Sequence, residues 1–565
     1  MKNTAMFLIL RRMRAPLLAL ITVYAVSVLG LVLMPGTEVD GLPQHLSFFH
    51  AFYIMTYTAT TTGFGELPVA FSDAQRLWVT GALYVSVIAW LYAIGALIEL
   101  LRDAALRQLI RQNRFAAQVR RLNSPFYIVC GYGDTGSVVV RSIIERKLMA
   151  VVIDSNQDSL NELMLENLPV HVPALCADAR LPGNLSQAGL NHPQCQGVLA
   201  LCRDDQVNLK IAITARLLSP GLMVISRAQS HDTEANMESF GTESVINPFD
   251  TFADRLALAL HSPDMHLIHE WLTAMPGTPL PERLNPPHGA WVLCGYGRFG
   301  KAVQRCLEFE GVPMSIIESD PEKTRAPRGV IVGRGTEAVT LRAAHIENAV
   351  GIVAGTDDDA NNLSIIVTAR ELNPKLFLVA RQNDRENDAV FEAARLDLVM
   401  QRARVISRRI LALITAPLLT NFLRLARHQK TEWAQGLIAT LRPVLGGVAP
   451  DLWTVSVSAD EAPAVEEWLR AGKALSLLSL LQNPNERQER LRCLPLMLQR
   501  AREGHLLPRE DFEIQPGDRI LFCGRVGEAA RQRRMLYNGH VIHYLTTGES
   551  QAEGTVWRWF ARRNG

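Results

Sequence analysis

The 565-residue chain carries 8 cysteines, none before Cys130 and none in a C-x-x-C pair. That excludes a disulfide framework and a paired-cysteine zinc site, and leaves the thiols to be read as buried side chains on a reducing side. Excess charge is also missing: with net charge +2, 20% charged and 48% apolar residues, neither a nucleic-acid coat nor a disordered chain is expected, and the length suits three or four domains. Charge is absent altogether from Ala15 to Met34 and from Leu77 to Ile98, runs of 20 and 22 residues. As helices, both are long enough to cross about 30 Å of hydrocarbon. Glycine and proline, finally, are absent from 96 to 124.

The first apolar run is too long for a signal-peptide core, and Met34-Pro35-Gly36 is a poor cleavage site. Lys2, Arg11, Arg12 and Arg14 precede it, Arg76 alone lies between the runs, and six arginines from Arg102 to Arg121 follow the second. The excess of positive charge outside the two spans places both termini in the cytoplasm. Because 96–124 has no helix breaker, the second span is expected to continue without interruption into a stiff linker helix over 99–124.

Between the spans lies "QHLSFFHAFYIMTY" (44–57), an aromatic amphipathic stretch too short to cross, followed directly by "TATTTGFGE" (58–66). Irregular backbone at membrane depth is tolerated where it is buried in protein or lines water. A strand whose carbonyls all point one way needs alternating backbone handedness, which Gly63 and Gly65 permit. The segment closely resembles the potassium-channel signature, whose T-V-G-Y-G loops replace the ion's hydration shell. That resemblance assigns a selectivity filter at 60–66, with Thr61, Thr62, Gly63, Phe64 and Gly65 as filter residues and the carbonyls of the first four as ion ligands. Thr62 stands where Val or Ile is usual, Phe64 where Tyr is, and Glu66 where Asp is. One loop cannot enclose an ion, so four chains around a cyclic axis are implied.

Beyond Pro125 the periodicity changes. "FYIVCGYGDTG" (126–136) is an apolar strand meeting Gly131, Gly133 and Gly136, a helical segment follows, and a second strand ends in Asp154. In that context G-x-G-x-x-G suits a phosphate at a helix N-terminus and a carboxylate that takes ribose hydroxyls. A purely structural cleft is the alternative. The pattern then recurs: "WVLCGYGRFG" (291–300) carries Gly295, Gly297 and Gly300, with Glu318 in the place of Asp154. "DDQVNLKIAITARLLSP" (204–220) is echoed by "DDANNLSIIVTARELNP" (358–374), so two copies of one nucleotide-type fold are present.

These segments resemble RCK domains (TrkA-N/TrkA-C-like), regulators of potassium conductance. In that family the glycine loop, the acid ending the second strand and a second acid in a following turn line a nucleotide cleft. The resemblance therefore implies Asp178 as a nucleotide-cleft residue of the first copy, whereas the second copy has Arg334 there. It also implies NAD or NADH, or else ADP or ATP, as regulatory ligand, and a divalent cation as a further candidate. "TDDDANN" (356–362) reads as a helix N-cap rather than a calcium cluster. His261, His266, His269 and Glu270 offer metal-ligand chemistry, but Pro263 disrupts their helical spacing. "FEIQPGDRILFCG" (512–524) reads as two strands around a Pro-Gly-Asp turn, and "TVWRWFARR" (555–563) as a basic aromatic strap.

The expected architecture is an α-helical membrane pore over 1–98, with spans 15–34 and 77–98 and pore helix 44–57. A linker helix over 99–124, Rossmann-like RCK domains over 125–285 and 286–430, and a small α+β C-terminal subdomain with tail over 431–565 complete it. The expected function is a ligand-gated potassium channel, not an enzyme, in a bacterial inner membrane. K+ permeates, lipid and three further copies are the partners, eight RCK units form a ring, and nucleic acid plays no part. A membrane-anchored NAD(P)-dependent oxidoreductase is the rival reading.

Overall fold

The structure, a computed structural model, describes residues 2–39, 42–65, 70–242 and 244–549, in two compact units divided at Arg121/Leu122. Glu66 and the 555–563 segment lie outside the described residues.

In the first unit, helix α1 (Lys2–Leu33) and helix α3 (Asp73–Arg102) include the segments Arg11–Leu33 and Asp73–Arg102, with mean hydropathy 2.4 and 2.0. Both are long and apolar enough to cross a membrane, and both leave large apolar side chains exposed, among them Ile21, Leu77 and Ile88. Helix α2 (Phe48–Ala59) starts at Ser47, whose hydroxyl accepts from His50 N at 3.3 Å. Its Ala51, Ile54 and Met55 pack with Val28 and Leu31 of α1 and Ala82 of α3. Trp78 lies flat against Gly30, where a Cβ would come within 2.1 Å of its ring, and its indole donates to the Ser27 carbonyl at 3.0 Å. The expected unbroken linker is corrected here. Asp103 has extended backbone (φ −61°, ψ 121°), which separates α3 from helix α4 (Ala104–Val119) although neither Gly nor Pro is present.

The second unit holds two six-stranded parallel sheets of identical topology. The first is built from β1 (Phe126–Cys130), β2 (Met149–Asp154), β3 (Ala174–Cys176), β4 (Cys195–Ala200), β5 (Met223–Arg227) and β6 (Ser244–Ile246), in the order β3-β2-β1-β4-β5-β6. The second uses β7 (Trp291–Cys294), β8 (Met314–Glu318), β9 (Ile331–Val332), β10 (Gly351–Ala354), β11 (Phe377–Gln382) and β12 (Leu398–Gln401), in the order β9-β8-β7-β10-β11-β12. All residues of β1 and β7 are buried, as expected of strands covered on both faces.

Each copy is completed by the other. Helix Pro248–His261 follows β6, yet its Phe249, Phe252, Leu256 and Leu260 pack with Trp291, Phe299 and Val303 of the second copy. Helix Arg402–Thr415 follows β12, and its Ile406, Ile410 and Leu411 pack with Val139, Ile143 and Leu160 of the first. Both helices end at a non-helical residue, Ser262 (φ −148°) and Ala416 (φ −144°), followed by Pro263 and Pro417, which start new helices. The boundary at 285/286 thus divides the sequence without dividing the cores.

A third core joins the turned helices Pro263–Thr273 and Pro417–Ala426 to helix Thr431–Leu445 and an antiparallel sheet. That sheet contains β13 (Asp451–Ser456), β14 (Cys493–Arg500), β15 (Glu503–Leu506) and β16 (Arg519–Gly524), in the order β13-β16-β14-β15. Of the two strands expected in 512–524, only β16 forms; the preceding segment makes an isolated bridge between Glu513 and Ser476. Five cysteines are buried, while Cys176, Cys202 and Cys306 are partly exposed.

Candidate functional site

The segment after α2 turns back on itself. Thr62 N and Gly63 N both donate to the Tyr57 carbonyl, at 2.9 and 3.3 Å. Thr61, Gly63 and Gly65 then have φ of 59°, 63° and 73°, so left-handed backbone recurs at every second residue. A Cβ on Gly63 would meet nothing within 4 Å, so its glycine serves the backbone angle rather than a lack of space. Phe64 stands edge-on to Tyr57, centroids 6.2 Å apart, and the Thr60 and Thr62 hydroxyls are 2.9 Å apart.

In the first cleft the three glycines do different things. Gly131 (φ 100°) brings the loop against the end of β4, where a Cβ would lie 2.9 Å from Cys202 N. Gly136 packs the helix Asp134–Glu145 onto the turn, where a Cβ would lie 2.0 Å from the Gly131 carbonyl oxygen. Gly133 is exposed with nothing within 4 Å, which leaves backbone open to a ligand at the helix N-terminus. Gly295, Gly300 and Gly297 repeat the three roles in order.

The acids behind these loops also match. Asp154 accepts from Tyr132 N and from Asn156 N (2.7 Å), and Glu318 accepts from Tyr296 N (2.6 Å) and Asp320 N (2.9 Å). Each carboxylate closes its glycine loop and keeps lone pairs for a further donor. Asp178 sits close by, through Ala177 N donating to the Asp154 carbonyl at 2.8 Å, but Arg180 grips it in a bidentate pair. Those hydrogen bonds hold its carboxyl below the usual range. At the matching turn of the second copy, Gly333 N donates to the Glu318 carbonyl, and Arg334 follows.

The D-D-x-x-N-L segments are structural. Asp204 and Asp358 cap their helices, as expected for "TDDDANN". Asn208 bridges Cys202 N, the Cys202 carbonyl and the Arg227 carbonyl, at 2.9, 2.9 and 3.1 Å, and Asn362 does the same for Thr356 and Arg381. They tie the ends of β4 and β5, and of β10 and β11, at the sheet edge where the glycine loops lie.

Sequence reasoning missed the arginines. A cavity of about 870 Å³ is lined by Asp134 and Thr135 of the first glycine loop, by Arg298 of the second, and by Arg203, Arg227 and Arg402. Buried Arg227 is pushed down to about 10, first by desolvation and then by Arg402, and its Nε has no partner. The signal was present in the motif itself, since Arg298 occupies in "GYGRFG" the position of Asp134 in "GYGDTG". The cavity is also lined by Asp357, Asp358, Asp359, Asp384 and Glu386, so arginines and carboxylates face one another beside the open glycine loop.

The histidine group does not assemble as a metal site. Glu270 is held by Arg255 (3.2 Å) and Arg408 (2.5 Å), His261 pairs with Glu310 at 3.1 Å, and burial pushes His269 down to about 3. His231, Glu234 and Asp250 lie within 4.8 Å of one another, but Arg305 already bonds to both His231 and Asp250.

The TrkA-N domain model matches residues 127–248 and 291–402. Two similar proteins of Methanocaldococcus jannaschii are probable potassium channel protein 2, 26% identical over 207 residues, and potassium channel protein 1, 26% over 219. The matches cover 36% and 39% of this chain, and the chain spans about three fifths of these relatives (59% and 64% of their lengths). A Trk system potassium uptake protein TrkA homolog of Pyrococcus abyssi is 30% identical over 136 residues, 22% of this chain and 60% of the relative. Among solved structures, the GsuK channel bound to NAD covers 94% of this chain and 99% of its own, at 15% identity and TM-score 0.47. Residues 127–248 and 291–402 are tandem TrkA-N domains, and the chain is similar over this region to the potassium-channel and potassium-uptake proteins named above.

Proposed function

We propose that the chain is a ligand-gated potassium channel. The observation that carries this is the alternation of left-handed backbone at Thr61, Gly63 and Gly65, placed after a short helix between two membrane-length helices. With every second residue left-handed, successive carbonyls turn toward one side, which is what coordination of a dehydrated cation requires. One such loop supplies one wall, so four copies would form the pore and their eight TrkA-N units a ring. The charge distribution supports a cytoplasmic position for both termini, and we assign the channel to a bacterial inner membrane.

The first cleft takes NAD or NADH, or ADP or ATP. Gly133 exposes the helix N-terminus to phosphate, Asp154 takes ribose hydroxyls, and Arg298 and Arg402 reach the cavity from the second copy. An oxidoreductase would use a similar cleft. Against it, arginines rather than a histidine, tyrosine or lysine proton donor line the cavity beside the glycine loop. Purified protein in liposomes decides the matter. Potassium gradients are expected to drive flux well above that from sodium gradients; equal fluxes would remove selectivity, and no flux with any of these nucleotides would remove the channel.

A further inference from the structure

A second cavity, of about 780 Å³, lies away from both glycine loops, where the helices that complete each other's cores meet the turned helices that follow them. One side is acidic, and its carboxylates are largely engaged: Asp250 with Arg305, and Glu310 with His261. The other side is cationic and not neutralised. Arg255 and Arg408 share Glu270, but among the described residues the guanidinium groups of Arg409, Arg424 and Arg427 make no hydrogen bond or ion pair within 4.0 Å. Arg409 is partly buried, and desolvation lowers its proton affinity while Asp254 offsets that only in part. Thr420 Oγ1, Arg255 Nε and His269 Nδ1, on residues of the same wall, are buried without a partner. Three buried polar atoms of this wall thus lack a hydrogen-bond partner in the protein, while Arg424 and Arg427 stand exposed at the cavity mouth. Met265 and Leu423 add an apolar surface beside the arginines.

We propose that this cavity is a binding site for a small organic phosphate, whose phosphate is gripped by Arg409, Arg424 and Arg427 and whose apolar part rests on Met265 and Leu423. Three unpaired forked donors match the charge and geometry of a phosphate dianion better than a single carboxylate. The site draws on helices from both TrkA-N copies, so an occupant bridges them. The inference is independent of nucleotide in the glycine-loop clefts.

The test uses full-length protein in detergent and three probes, phenyl phosphate, inorganic phosphate and benzoate, followed by calorimetry. Phenyl phosphate is expected to bind more tightly than either of the others. The exposed-mouth variant Arg424→Gln/Arg427→Gln should lose about tenfold or more in affinity with an unchanged melting temperature. Arg298→Gln, which alters the glycine-loop cavity instead, should leave phenyl phosphate binding unchanged. The proposal is overturned if wild type does not bind phenyl phosphate at millimolar concentration, or if benzoate binds as tightly. It is equally overturned if the mouth variant binds like wild type, or if Arg298→Gln is the variant that loses binding.

Discussion

The Arg12 guanidinium pairs with the Asp103 carboxylate, joining the start of the apolar segment of α1 to the single-residue break between α3 and α4. Arg12 is half exposed, but the Asp103 side chain is only 10% exposed, so the pair is shielded on one side from solvent and salt. Removing either partner should release the end of α3 and change the open probability in single-channel recordings. The charge swap Arg12→Asp/Asp103→Arg should restore most of it, with a coupling of roughly 0.5–3 kcal/mol in the double-mutant cycle. Additive single effects would dissociate the pair from gating.

For Gly63 the cost of a side chain is conformational. L-alanine at φ 63° is disfavoured by roughly 1–2 kcal/mol although no atom stands in its way. Gly63→Ala should therefore abolish potassium flux in liposomes, while D-alanine, introduced by semisynthesis, should retain it. Loss of flux in both would locate the defect in crowding between chains.

Asp154 closes the first glycine loop by accepting from two backbone N–H groups, and the proposed nucleotide would share the same carboxylate. Asp154→Ala should weaken adenine-nucleotide binding by about tenfold or more, since charge-assisted hydrogen bonds contribute roughly 1.5–3 kcal/mol each. Glu318→Ala, behind the loop of the second copy, tests whether that cleft is occupied, because only an occupied cleft loses calorimetric stoichiometry. Unchanged affinity in Asp154→Ala would place the nucleotide elsewhere.

Acid should destabilise the TrkA-N unit in two steps. His269 is neutral in the fold because burial pushes it down to about 3, from an ordinary 6.5. Between those values the unfolded chain binds the extra proton, so stability falls as pH drops below 6.5. Glu270 is pushed up by its own burial, but Arg255 and Arg408 outweigh this and hold it at about 2, against 4.5. Its contribution is complete above 4.5 and is lost as pH falls toward 2. Urea midpoints measured across pH should show both slopes. His269→Gln should reduce the upper one, to which buried His266, also pushed down by desolvation, contributes the rest, and Glu270→Gln should cost roughly 3–5 kcal/mol near neutrality by stranding two guanidinium groups.

Phe252→Ala, in the helix that follows β6, should cost roughly 3–5 kcal/mol. Hydrogen exchange should place the lost protection in 291–354 of the second copy rather than in 126–200 of the first. The reverse distribution would mean that the helices are not exchanged in solution.

Local signals carried most of the fold. Continuous apolar runs, ended by glycine in β1 and β7 and by Asp154 in β2, marked these strands, and the recurrence of "DDxxNL" identified the duplication because each Asp and Asn has a fixed backbone partner. The glycine loops and the acids behind them were legible for the same reason: their roles are set within about two dozen residues. What escaped was non-local. Nothing within 96–124 marks Asp103 as a break, since the pairing with Arg12 comes from another helix. Nor does an amphipathic stretch announce which of two similar cores it will cover, so the exchange of Pro248–His261 and Arg402–Thr415 and the arginines gathered around Arg227 appear only in three dimensions.

The exchanged helices also impose an order on synthesis. The first TrkA-N copy cannot close its core until Ile406, Ile410 and Leu411 have left the ribosome, roughly 150 residues after β6 is made. At about 5–20 residues per second this is a wait of about 8–30 s. Throughout it the apolar face of helix Asp134–Glu145 lacks the side chains that cover it in the finished core. Closure of the first core therefore depends on translation of the second copy.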